Sequence, residues 1–173
     1  MFCHTPAADA VLLGAPLFTG TVLDTAWSNR CDELLRAKDR LSAISSQDAL
    51  ILLRASFSSP RVLHLLRCSP SVDHTSLHTF DNLLRSALCR IANCDITDTQ
   101  WLPASLPIKE GGLGVRRVAS LALPAFLASV AGTVSLQDTI LAANQCPSDS
   151  FLPSYRSTAV SYTHLTLPTI YSV

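Results

Sequence analysis

Residues 73–93 read DHTSLHTFDNLLRSALCRIAN, with Leu77, Phe80, Leu84, Leu88 and Ile91 three or four positions apart and Leu83 and Ala87 widening the stripe. Side chains at those separations stack on one face of an α-helix, so the spacing predicts an amphipathic helix with Arg85 and Arg90 on its polar side. The same period runs outward toward the N-terminus. Val22, Leu23, Ala26, Leu34, Leu35, Leu41 and Ile44 predict a helix over about 21–44, opposed by a face of Arg30, Asp32, Glu33, Arg36, Lys38, Asp39 and Arg40. Ser45 with Asp48 predicts a capped start to a helix over about 47–57. Ser58-Ser59-Pro60 predicts a cap and an early proline for a short helix to Cys68, ended by Ser69-Pro70.

Toward the C-terminus, residues 98–101 predict a short helical turn, residues 106–114 a turn-rich loop, and two further helices are expected at about 117–131, entered or kinked at Pro124, and 136–143. No apolar alternation is long enough for a sheet. The fold class is therefore all-α: an irregular bundle of about five to six helices, with an extended N-terminal leader and an unstructured C-terminal tail. The expected organisation is a leader over 1–20, a helical domain over 21–143, a linker over 144–159 and a tail over 160–173.

Composition narrows the function classes. The 173 residues carry 13 Lys+Arg against 13 Asp+Glu and are 48% hydrophobic but only 15% charged, the opposite of a disordered chain. A mean hydropathy of +0.30 is high for a free-standing soluble domain. The longest uncharged stretch, 118–137, is nominally long enough to span a bilayer, but Ala, Ser, Thr, Gly, Pro and Gln make up about half of it and no aromatic anchors flank it. No membrane partner is expected. With no basic region before the short apolar run 11–13, the chain reads as intracellular, nuclear or cytoplasmic, rather than secreted.

Chemistry-bearing motifs are sparse. Cys3, Cys31, Cys68, Cys89, Cys94 and Cys146 include no C-x-x-C, and His64, Cys68, His74, His78, Cys89 and Cys94 lack the two tight pairs of a zinc module, so no metal site is expected. Gly111-Gly112-Leu113-Gly114 lacks the Lys-Ser/Thr of a phosphate loop and reads as a turn requiring positive φ. No two aspartates are adjacent, so the carboxylate pair of two-metal nucleotidyl transfer is missing and no catalysis by this chain is expected.

The basic residues are skewed to 11 Arg against 2 Lys, and residues 54–117 hold eight cations against five acids. Arginine suits bidentate contact with phosphate. The candidate nucleic-acid contacts are Arg54, Arg61, Arg67, Arg85, Arg90, Arg116 and Arg117. The alternative is a free-standing helical interaction module whose arginines merely solvate its surface.

The succession LGAPL (13–17), ALILLR (49–54), PRVLHLLR (60–67), FDNLLR (80–85), WLPASLP (101–107), EGGLGV (110–115) and ALPAFLAS (122–129) resembles the region after the polymerase core in reverse transcriptases of LINE-like, non-LTR retrotransposons. The resemblance covers about residues 10–143. It implies a helical thumb and connector that holds RNA/DNA template–primer beside an upstream palm. The parent would be an RNA-directed DNA polymerase using Mg2+, whose Tyr/Phe-x-Asp-Asp lies outside this chain, so no catalytic residue and no cofactor carry over to it. Residues 160–169, VSYTHLTLPT, resemble the in-frame translation of a sequencing-library adapter, so residues 160–173 are expected to be artefactual and both ends of the frame to be cut.

Overall fold

The computed structural model describes residue 6 and residues 9–144, except the side chains of 137, 138 and 141–144, so the expected linker and adapter-like tail lie outside the described residues but for Asn144. The all-α expectation holds. Six α-helices follow a minimal hairpin: β1 (Val11–Leu12), β2 (Ala15–Pro16), α1 (Thr21–Leu41), α2 (Ser46–Leu52), a π-helical turn (Leu53–Phe57), α3 (Ser59–Cys68), α4 (Thr75–Ala92), α5 (Asp98–Ala104), a 3-10 turn (Ile108–Glu110) and α6 (Val118–Asn144). Residues to Phe126 form one compact unit, and a second begins at Leu127.

The stripe read on 73–93 is the centre of the first unit. Leu77, Phe80, Leu84, Ala87, Leu88 and Ile91 of α4 are buried against the α1 stripe of Leu23, Trp27, Leu34 and Leu41. Apolar burial supplies the drive, and backbone bonds within each helix satisfy the polar groups it carries inward. α4 ends where Asn93 takes the left-handed conformation (φ 49°), which asparagine tolerates better than most residues. His74 precedes the helix, and its Nδ1 accepts the Ser76 N–H at 3.2 Å. That places the ring proton on Nε2, which donates to Asp24 Oδ1 of α1 at 2.9 Å. His74 therefore stands ahead of the helix that carries His78, and the two do not share a helix face.

The expected helix over 47–57 divides. Ser45 caps α2 as expected, its Oγ accepting the Asp48 N–H at 3.3 Å. From Leu53 the backbone widens into a π turn, with Ser58 N donating to Leu53 O at 2.9 Å. Such turns insert one extra residue and commonly mark a function-bearing position. The buried Ser58 hydroxyl donates back to Arg54 O at 2.8 Å, so Ser58 begins α3 without the side-chain cap that its position suggested.

The two C-terminal helices are one. α6 runs unbroken because the gap 132–135 contains no proline, and the Thr133 hydroxyl donates to Ser129 O and Val130 O rather than opening the chain. A glycine such as Gly132 weakens a helix without removing a hydrogen bond. The start of α6 is held by Asp81 of α4, whose carboxylate accepts the amides of Val118 at 2.6 Å and Ala119 at 3.1 Å. Two orphan donors of a helix N-terminus thus find a buried acceptor that also complements the helix dipole.

Within the expected extended leader, β1 and β2 pair antiparallel as a hairpin. Its two-residue turn, Leu13-Gly14, has positive φ at both positions, and Ala15 is buried. His64 of α3 donates its Nε2 proton to Leu13 O at 3.2 Å, tying the hairpin to the bundle.

The glycine loop is a packing device. Its amides are consumed internally: Gly111 N on Ile108 O, Gly112 N on Pro107 O, Leu113 N on Ala104 O and Gly114 N on Leu106 O, so none of the four is aimed at a phosphate. A Cβ on Gly112 would lie 2.2 Å from Leu106 O, whereas one on Gly111 meets nothing within 4 Å and suffers only from φ +81°. Gly112→Ala is expected to lower stability by about 3 kcal/mol, at the upper end of overpacking effects. Gly111→Ala is expected to lose about 1–2 kcal/mol. Urea midpoints of the two variants check the order.

Candidate nucleic-acid interface

The structure scatters the seven candidate arginines. Arg85 is committed to the segment after α4: its Nε donates to Ile96 O at 2.9 Å, Nη2 donates to the same oxygen and Nη1 pairs with Asp98. Arg90 joins α4 to α1 through Asp39 Oδ1 at 2.8 Å. Arg54 is half-buried, and Gly114 lies so close to its stem that a Cβ there would fall 2.7 Å from Arg54 Cδ. Arg116 and Arg117 are half-buried just before α6, and the buried Arg117 Nε has no hydrogen-bond partner. Arg67 is exposed in the last turn of α3, without an ion pair among the described residues.

Arg61 stands in a different setting. Its Nε donates to Glu33 Oε2 at 2.9 Å, and Arg30 Nη1 holds both oxygens of the same carboxylate at 2.9 and 2.8 Å. Burial alone would raise Glu33, but the hydrogen bonds and charges of Arg61 and Arg30 outweigh it and hold the carboxyl below its usual value. Two adjoining cavities, of about 390 and 340 Å³, meet along Glu33, Arg36 and Arg61. The first is bounded by Arg40 and an apolar wall containing Leu41, Ile44 and Phe57; the second extends past Arg30 to His64.

The resulting groove between α1 and α3 presents Arg30, Arg36, Arg40 and Arg61 against the single acid Glu33. Arg36 and Arg40 make no ion pair among the described residues. Unpaired guanidinium groups beside a concavity suit a polyanion, because each can clamp two phosphate oxygens and is only weakly hydrated. A phosphate could also displace Glu33 from Arg61, since both present the same kind of oxygen pair.

Arg36 and Arg40 were not among the sequence candidates. Residues 21–41 carry four acids against four bases, so a net-charge count cancels over α1. Position separates what counting combined: Asp39 turns to Arg90 and Asp24 to His74, leaving the groove face basic. The legible signal was the i, i+4 spacing of Arg36 and Arg40, each followed by an inward residue, Ala37 and Leu41.

Among the described residues, no group of three or more His, Cys, Asp or Glu comes together. The Mg2+ of the resembled polymerases does not fit this segment: Glu33, Asp39, Asp81 and Asp98 are dispersed and already held by arginines or amides. His64 and Cys68 are the one pair from the cysteine and histidine set found in contact among the described residues, with Cys68 Sγ 3.6 Å from His64 Nδ1. Two helical stretches, Ser46–Cys68 and Val118–Leu136, are long and apolar enough to cross a membrane; the first contributes Leu53, Val62 and Leu66 to the core. No protein-family model, curated protein or solved structure matches the chain.

Proposed function

We propose that the chain is the helical thumb and connector segment of a non-LTR reverse transcriptase, contributing template–primer backbone binding through the α1/α3 groove and no catalysis. The observation that supports it most is the convergence of Arg36, Arg40 and Arg61 on one concavity, with Arg36 and Arg40 free of ion pairs among the described residues. The ordered motifs from LGAPL to ALPAFLAS add to it. So do the exposed apolar side chains of Leu102, Leu106 and Ile108 around α5, which fit a surface that a neighbouring palm would cover.

Fluorescence anisotropy with an RNA/DNA primer–template at low salt tests the reading. The wild-type chain is expected to bind with a steep inverse dependence on salt, and Arg36→Gln/Arg40→Gln/Arg61→Gln to reduce the log–log slope by about 3. Glu33→Gln, which frees Arg30 and Arg61, is expected to strengthen binding and steepen the slope. Unchanged affinity in the triple variant would remove the groove from the account.

The second reading, a helical interaction module without a nucleic-acid role, is favoured by the commitment of Arg85 and Arg90 to ion pairs within the bundle. It predicts no binding in any arm of the same experiment.

A further inference from the structure

The cavity of about 390 Å³ is more apolar than a backbone site needs. Beyond Arg36 and Arg40 its wall is Leu41, Ile44, Leu52 and the Phe57 ring, with Ile44 and Leu52 exposed at 44% and 41%. The π turn that ends at Phe57 shapes this wall, because it is the point where the α2 backbone stops following α-helical geometry. A duplex keeps its base faces stacked inside and offers a protein surface phosphate, sugar and the base edges in its grooves, so it would engage the arginines without laying a base face on the apolar wall. An unpaired nucleotide offers both parts, a phosphate on each side and a flat, largely apolar base face between.

We infer that this cavity receives an unpaired base of a single strand, packed against Phe57, while Arg36 and Arg40 take the flanking phosphates. The inference rests on the backbone-binding role proposed above and assigns its strand preference. Charge complementarity supports the occupant: two guanidinium groups without ion pairs among the described residues border an apolar hollow, the combination that single-strand grooves use to hold backbone and base together.

The full 173-residue chain is titrated at one ionic strength with three labelled probes: oligothymidylate of about 12 nucleotides, an abasic deoxyribose-phosphate strand of equal length and a matching duplex. The thymidylate strand is expected to bind about tenfold tighter than the abasic strand. Phe57→Leu, which keeps an apolar side chain in place, should bring thymidylate to the abasic level without altering abasic binding. Leu52→Gln, at an exposed position, should weaken thymidylate several-fold and covers the case in which Phe57→Leu does not fold.

Equal binding of thymidylate and abasic strands by the wild type overturns the base pocket and leaves the backbone role standing. Absence of binding to all three probes overturns both. Tighter binding of an acidic amphipathic peptide than of thymidylate also overturns the inference, because it assigns the cavity to a protein partner.

Discussion

Asp81→Ala is expected to destabilise the first unit by about 3–5 kcal/mol in urea unfolding. The variant leaves the amides of Val118 and Ala119 without their acceptor and removes a negative charge that interacts with the half-buried Arg117, whose Nε already lacks a hydrogen-bond partner. Asp81→Asn retains one carbonyl oxygen at the same place, so its expected loss is smaller, about 1–2 kcal/mol.

The pH dependence separates this carboxyl from others. Burial pushes Asp81 above the usual carboxylate range, partly offset by the two amides and by the charges of Arg117 and His78. The folded chain therefore holds the Asp81 proton more tightly than the unfolded chain. Its contribution to stability is fullest below the ordinary value and declines as pH rises from about 4 through the folded value. Glu33, held low by Arg61 and Arg30, has the opposite sign: its contribution is present above the ordinary glutamate value and is lost as pH falls through the depressed one. Urea midpoints across the acid range should show Asp81→Asn removing a falling component and Glu33→Gln a rising one. The reverse assignment would refute both electrostatic accounts.

Trp27→Ala is expected to lower stability by about 3–5 kcal/mol and the melting temperature by about 10–15 °C. Trp27 is fully buried, its Nε1–H donates to the buried Ser71 hydroxyl at 3.1 Å, and its ring stacks on His74 at 6.1 Å and meets Phe80 edge-on at 6.3 Å. One side chain therefore joins α1, the loop before α4 and α4 itself. Trp27→Phe keeps much of the volume and strands the Ser71 hydroxyl, so about 1–2 kcal/mol is expected. Thermal melts of the two variants divide packing from the hydrogen bond.

These two sites mark where sequence reasoning stops. The apolar period of residues 73–93 identified Phe80 and Leu84 as core, but it also put Asp81 beside them with no sign that a residue 37 positions later needs its carboxylate. Local spacing reports which face of a helix is apolar. It carries no information about which distant amide arrives at that face. The same limit separated the arginines: Arg85 and Arg61 look alike in sequence, and only their acidic neighbours in space, Asp98 and Glu33, distinguish a structural clasp from a groove-lining cation.

The merged α6 has a related cause. Gly132 and the small polar residues Thr133 and Ser135 weaken a helix locally, but local weakness does not end one. A helix stops when its backbone groups find other partners, and at 132–135 the helix continues, with the Thr133 hydroxyl bonding back to the carbonyls of Ser129 and Val130.

By itself the sequence determined the all-α class, the central α1 and α4 stripes and the positions of most helix starts and stops, because burial periodicity and capping act over only a few residues. Tertiary structure alone decided the α1/α3 groove, the capping of α6 by Asp81 and the division of the arginines. Each depends on charges and amides that meet only in the fold, Arg85 and Asp98 from 13 positions apart, Arg61 and Glu33 from 28 and Asp81 and Val118 from 37, beyond the reach of local periodicity or of any average over composition.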